Sequence, residues 1–155
     1  MDVYVVADAS VFIWGKRPDG ELISSPAVEA ELKDLRSRSR FHIFGARAEA
    51  PSSQALKAAR QAAEETGDIM VLSSADLEVL ALAQEHGAVL ATDDYALQNV
   101  ALHLGLKIEP VGQQAIKRKL RRVRRCRACG HVLEVNENTC PDCGTPATKK
   151  KRCIR

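Results

Sequence analysis

Residues 1–15 read MDVYVVADASVFIWG, and how this stretch is interpreted decides the fold. Val3-Tyr4-Val5-Val6-Ala7 is an unbroken apolar run, where a half-buried strand would alternate apolar and polar residues. Such a run predicts a strand covered on both faces, the central strand of a parallel sheet. Parallel sheets bind ligands in the crevice beyond the carboxyl ends of their strands. Asp8 is the first charge past that end, followed by the hydroxyl of Ser10. Asp8 also suits the N-cap of a helix over Ser10–Trp14, so its residue type alone supports either role.

Further elements extend outward from this strand. Gly15 and the turn Arg17-Pro18-Asp19-Gly20 end the first short helix. Ser25-Pro26 predicts a capped helix running to about Arg36, with Val28, Leu32 and Leu35 facing the core. On that phase Glu31 lies at the edge of the apolar stripe and Glu29 points to solvent. Residues 37–50 read as a short strand or a packed loop in a basic setting. Ala-rich helices are expected from Ser52-Ser53 to Thr66 and from Ser73-Ser74 to His86, each stopped by a glycine. Ala88–Thr92 is a second buried strand leading to Asp93-Asp94, followed by a helix over about 95–104 and a last strand near 107–111. Strands alternating with helices predict a doubly wound parallel α/β sheet sandwiched by helices.

Residues 1–115 carry ten Lys/Arg against seventeen Asp/Glu, a net −7, whereas residues 116–155 carry thirteen against three, a net +10. An acidic working domain is therefore joined to a segment suited to a polyanion. Aromatics make up only 4% of the chain, too few for an RNA-binding sheet built on stacked rings. The N-terminus lacks a basic flank and no apolar run approaches membrane-spanning length, so an intracellular, cytoplasmic protein is expected.

Asp8, Glu31, Asp76 and Asp94 come from strand ends and helix faces that a doubly wound sheet brings to one edge. Asp76 lies in line with Val79, Leu80 and Ala83 on its helix, though it could equally complement the helix dipole. One of Asp93 and Asp94 is expected to face the cleft, and Ser10 and Thr92 supply hydroxyls nearby. Two like charges about 4 Å apart repel by about 4 kcal/mol at a surface-like dielectric, so converging acids call for a cation. An all-oxygen ligand set selects Mg²⁺ or Mn²⁺, and such an ion suits phosphodiester cleavage. The four histidines have no nucleophilic context.

Cys126-Arg-Ala-Cys129 and Cys140-Pro-Asp-Cys143 form two knuckles, each followed by a glycine. Four thiolates at this spacing predict one structural Zn²⁺ per chain with no open coordination position. A segment this small needs the metal to fold. Cys153 lies apart, in the basic tail. Ile116, Leu120 and Val123 recur at helical spacing, predicting a basic helical linker over 116–125. The segments expected are therefore 1–115, 116–125, a ribbon over 126–146 and a tail over 147–155. Lys117, Arg118, Lys119, Arg121, Arg122, Arg124, Arg125 and Arg127 are the expected RNA contacts.

VVADASVFI, SPAVEAEL, SADLEVLALA and VLATDDYALQNVA resemble the motifs of the PIN-domain ribonucleases. A PIN domain followed by a zinc ribbon is similar to the NOB-type endonucleases of small-subunit ribosome maturation, in a short archaeal-like form. The resemblance implies a Mg²⁺/Mn²⁺-dependent endoribonuclease that trims the 3′ end of precursor small-subunit ribosomal RNA within a pre-ribosomal particle, alongside assembly-factor proteins. It implies metal-binding roles for Asp8, Glu31, Asp76 and Asp94, orienting roles for Ser10 and Thr92, and an auxiliary place for Asp93. A toxin ribonuclease of a toxin–antitoxin pair and a non-catalytic RNA-binding assembly factor are the alternatives.

Overall fold

A computed structural model describes residues 3–112, 121–134, 136–147 and 152–154. β1 (Tyr4–Ala7) is the central strand, with Val5, Val6 and Ala7 essentially without exposure, as the apolar run requires. Asp8 then caps α1 (Ala9–Trp14), which Gly15 ends in the left-handed conformation at φ 73°. β2 (Glu21–Ser24) pairs in parallel with β1, Tyr4 opposite Glu21. The sequence reading passes over this strand, because its four residues sit between a turn and the Ser25-Pro26 cap.

The helix expected to run to Arg36 divides. α2 (Pro26–Glu31) ends at Leu32, which turns extended at ψ 105°. Asp34 then starts α3 (Leu35–Ile43), its carboxylate accepting from the Ser37 amide at 2.9 Å and the Ser37 hydroxyl at 2.5 Å. Phe41–Ile43, expected as strand or loop, are therefore helical. Leu32 stays buried, but Leu35 is 81% exposed because the break rotates it off the stripe. Phe41 packs on Phe12, ring centroids 5.0 Å apart, and ties α3 to α1.

β3 (Arg47–Ala48) follows, then α4 (Ser53–Thr66) and α5 (Ser74–His86), each capped by a serine and stopped by a left-handed glycine. Ala59, Ala62 and Ala63 on α4 let α5 approach closely. β4 (Val89–Ala91), α6 (Tyr95–His103) and β5 (Ile108–Glu109) complete the domain. The sheet is parallel throughout, in the order β3-β2-β1-β4-β5. The chain leaves β1 towards β2 and returns to its other side at β4. The gap between β1 and β4 is thus the topological switch point, where doubly wound sheets place their ligands.

The basic run departs from expectation. Residues 116–120 of the expected helical linker lie outside the described residues, and so do Lys117, Arg118 and Lys119. Arg121–Arg125 form a strand, β6, not a helix. It pairs antiparallel with β7 (Val132–Leu133) on one side and β8 (Arg152–Ile154) on the other. A helix would stack like charges at i, i+3 and i+4, whereas a strand spaces them at about 3.3 Å per residue on alternating faces. The basic run and part of the tail therefore belong to the ribbon's own sheet. Among the described residues, no helix is long and apolar enough to cross a membrane.

Candidate functional site

Asp8 sits at the carboxyl end of β1 and is only 6% exposed. Its Oδ1 accepts from the Ser10 amide at 2.8 Å and from the Ser10 hydroxyl, and its Oδ2 accepts from the Thr92 hydroxyl. The cap role foreseen for Asp8 is present, and the same side chain lies buried against Thr92 at the end of the central strand. The two hydroxyls also clamp the neighbouring loop: Ser10 Oγ accepts from the Asp93 amide at 3.2 Å and Thr92 Oγ from the Asp94 amide at 3.0 Å. Burial pushes the Asp8 carboxyl up to about 6, against the opposing pull of these hydrogen bonds, and the Asp76 carboxylate adds to the rise.

Asp76 lies in the first turn of α5 and forms a capping box with Ser73. Its Oδ2 accepts from the Ser73 amide at 2.8 Å, so it does serve the helix start. It is also half-buried, and its pKa is raised by burial and by the Asp94 carboxylate. Val79, Leu80 and Ala83 in line with it are fully buried. Asp76 is therefore near enough to Asp8, and Asp94 near enough to Asp76, for each to raise its neighbour's pKa.

The adjacent acids divide their work. Asp93 turns to the segment after β5 and accepts from the amides of Val111 at 2.7 Å and Gly112 at 2.9 Å. Asp94 caps α6 through Oδ1, which accepts from the amides of Ala96 at 2.7 Å and Leu97 at 3.2 Å. Asp94 Oδ2 and Asp76 Oδ1 accept no hydrogen bond from the described residues and are open to a ligand. All-carboxylate oxygens with unused lone pairs fit a hard divalent cation.

Glu31 is the last residue of α2, exposed and without a hydrogen bond or ion pair among the described residues. α2 packs against α5, whose first turn carries Asp76, and against α1, which Asp8 caps. Glu29, expected to point to solvent, is instead half-buried and pairs with His42 at 3.4 Å. The other histidines also face acids: His86–Glu49, His103–Glu65 and His131–Asp142, at 2.6–2.8 Å.

Sequence reasoning missed two supports of the site. Gln98 is fully buried and its Nε2 donates to the Thr92 carbonyl at 2.9 Å, holding the loop one turn from Asp94. Ser24, also buried, donates to the Ala7 carbonyl at 2.6 Å beside Asp8. Their signal is a polar side chain at an otherwise apolar buried position of a helix or strand.

The sulfurs of Cys126, Cys129, Cys140 and Cys143 lie within 4.8 Å of one another. Cys126–Cys143 and Cys129–Cys140 are each 3.5 Å apart. Four sulfurs at about 2.3 Å from a tetrahedral zinc would stand about 3.8 Å apart, so the cluster fits that ion. The two knuckles have the same build. The Gly130 amide donates to the Cys126 carbonyl and the Gly144 amide to the Cys140 carbonyl, both at 2.9 Å, with φ of 78° and 72° at the glycines. The amides of Cys129 and Ala128 bring the Cys126 thiol down to about 6, ready for metal as thiolate. His131, paired with Asp142, bridges the knuckles and is not a member of the cluster.

A family model described as the PIN domain of ribonuclease matches residues 5–85. The chain is 35% identical over 152 residues to an endoribonuclease Nob1 of Archaeoglobus fulgidus, covering 95% of this chain and 90% of that protein. It is 41% identical over 148 residues to an endoribonuclease Nob1 of Pyrococcus abyssi, covering 92% and 90%. A ribonuclease VapC1 of Thermoplasma acidophilum is 33% identical over 143 residues, covering 88% and 74%.

Proposed function

Because the chain belongs to the Nob1 endoribonucleases within the PIN-domain family, an RNA-cleaving hydrolase by descent, we propose that it matures the 3′ end of precursor small-subunit ribosomal RNA. In this reading Asp8, Asp76 and Asp94 hold Mg²⁺ or Mn²⁺ with Glu31 completing the set, and the four cysteines hold one structural Zn²⁺. The observation that carries it is the buried Asp8 at the β1–β4 switch point, whose carboxyl is raised by burial and by Asp76, while Asp94 in turn raises Asp76. A carboxyl raised by burial and by a neighbouring carboxylate favours either a proton or a cation beside it. A divalent cation there would orient a water, lower its pKa and offset charge on the phosphate. Ser10 and Thr92 fix the orientation of Asp8, and Gln98 fixes Thr92. Asp93, bound to backbone amides, shapes the rim and does not bind the ion.

The test is cleavage of a labelled precursor RNA spanning the 3′ end, with and without Mn²⁺. A single cut at the mature end is expected, only with metal. Equal cutting of unrelated RNA would favour a toxin-type ribonuclease instead. In the same assay Glu31→Gln should lower turnover at limiting Mn²⁺ by about tenfold or more, roughly 1.4 kcal/mol of lost metal-site stabilisation. Glu29→Gln loses only an exposed ion pair with His42, worth up to about 1 kcal/mol of stability, and should leave cleavage unchanged. Equal losses at both positions would remove Glu31 from the site.

RNA binding falls to the basic strand, with Arg127 just beyond it and Lys117–Lys119 before it. The acidic domain does not attract a phosphate backbone by itself. Within β6, Arg124 donates to the Glu137 carbonyl at 2.6 Å and Arg125 to the Gly130 carbonyl at 3.1 Å, contacts that tie the strand to the ribbon's own loops. If about four phosphates are met, log K should fall with log salt at a slope near −3, from about −0.7 per contact on single-stranded RNA. Replacing Arg121, Arg122, Arg124 and Arg125 by Gln should flatten that slope for RNA of any sequence. An unchanged slope would move the interface to another basic surface, such as Arg36 and Arg38 on α3.

A further inference from the structure

Trp14 is the only tryptophan in the chain, and it stands 57% exposed at the end of α1, six residues from Asp8. Its indole lies against Gly112: a Cβ at that glycine would meet the indole Cδ2 at 3.8 Å and Asp93 Oδ2 at 3.4 Å. The same Gly112 amide binds Asp93, so the ring sits on the rim of the acidic cleft. A cavity of about 160 Å³ adjoins this contact through Val111, which precedes Gly112, and Lys16, two residues after Trp14, without the indole itself lining it. Lys16, Arg17 and Pro18 form one wall, and Ala91, Glu109 and Val111 form the other. Ala91 directly precedes Thr92, and the Val111 amide donates to Asp93, so the cavity adjoins the cleft. At about 30 Å³ per water it holds roughly five waters, a volume of the order of one nucleobase.

The charge of this cavity is opposite to that of the cleft. Lys16 makes no hydrogen bond or ion pair with the described residues. Among the described residues, Arg17 donates only to backbone carbonyls, those of Phe44, Pro18 and Gly20 at 2.9–3.2 Å, and pairs with no carboxylate. Glu109 is the wall's one carboxylate, and its oxygens match an exocyclic base amino group. A large exposed aromatic beside two unneutralised cations is the chemistry of a single-stranded nucleic-acid contact.

We propose that Trp14 and the cavity beside it form a nucleotide subsite, in which the indole stacks on one unpaired RNA base next to the cleavage point and Lys16 meets the adjoining phosphate. The proposal rests on the chain's being an RNA endonuclease and not on which RNA it matures. Stacking is independent of salt, so it holds RNA at the cleft where net negative charge would repel it.

The indole is its own reporter. A heptamer of cytidylates is titrated into the full-length, zinc-loaded protein without added divalent ion, and tryptophan emission and anisotropy of a labelled heptamer are followed together. Emission should be quenched in step with binding. Trp14→Ala should weaken the heptamer by about 5- to 150-fold, the range for losing one base stack, with the salt slope unchanged. Trp14→Phe should retain most of the affinity. Lys16→Gln should instead make the slope less steep by about 0.7. Binding with no change in emission, or Trp14→Ala binding as the wild type does with its melting temperature unchanged, would overturn the subsite. Neither result bears on the precursor reading, since the heptamer carries no ribosomal sequence and that reading is judged by the mapped cut.

Discussion

Asp8→Asn should abolish RNA cleavage and yet make the metal-free protein more stable at neutral pH. The carboxyl rises from its ordinary value of 3.8 to about 6 in the folded chain. The folded state therefore binds the proton more tightly than the unfolded state does. Stability falls as pH rises through the window from about 4 to 6, and the cost is complete above it, about 3 kcal/mol from about 1.4 kcal/mol per pKa unit. Asparagine carries no charge to desolvate and keeps one oxygen for Ser10, although its amide group cannot accept from Thr92. A net gain of about 1–2 kcal/mol is expected at pH 8 and little at pH 4.

Cleavage should fall at least about 10³-fold, equivalent to about 4 kcal/mol of transition-state stabilisation, with RNA affinity nearly unchanged. Mn²⁺ should raise the melting temperature of the wild type, because it binds only the folded site, and should not raise that of the variant. Near-normal turnover at saturating Mn²⁺ would remove Asp8 from the metal site. A variant less stable than wild type at pH 8 without metal would show that the carboxylate's hydrogen bonds outweigh its burial.

Cys126→Ser or Cys140→Ser should reduce zinc from one per chain to almost none and unfold the ribbon while the PIN domain stays folded. Among the described residues, the buried apolar contacts in the ribbon are those of Cys126, Leu133 and Cys140, with Ala147 against them, so half of that core is itself metal ligand. Structural zinc contributes on the order of 10 kcal/mol or more to folding such a module. Amides over residues 126–146 should lose hydrogen-exchange protection, and those of β1 and α5 should keep theirs. Because Arg121–Arg125 pair with both β7 and β8, the loss of zinc should also weaken RNA binding. A ribbon that stays protected at near-zero zinc would refute a metal-driven fold. Unchanged RNA affinity would show that the arginines act without the strand.

The central strand, the helix starts and the knuckles were legible in the sequence because each is a local pattern. An unbroken apolar run identifies β1, a serine before an Ala-rich stretch starts α4 and α5, and Cys-x-x-Cys-Gly closes a knuckle. What escaped depended on competition between patterns. Leu35 continued the spacing of Val28 and Leu32, but the Asp34 cap interrupts the helix and leaves Leu35 in solvent. Val123 completed a helical spacing with Ile116 and Leu120, yet pairing across the ribbon claims its strand. The division of labour between Asp93 and Asp94 required the position of Gly112, nineteen residues away, which no local pattern carries.

The bond from Thr92 to Asp8 joins residues 84 apart in sequence, whereas β2 reaches β1 after only seventeen. Closing a loop of that length costs about 4 kcal/mol by the usual logarithmic dependence, repaid only once β4 is in place. The half-sheet β1-β2-β3 can therefore assemble early, while the contact between Asp8 and Thr92 is among the last of the domain to form. A chain still emerging from the ribosome carries Asp8 without Thr92 or Asp94, so the hydroxyl that orients Asp8 arrives only with β4.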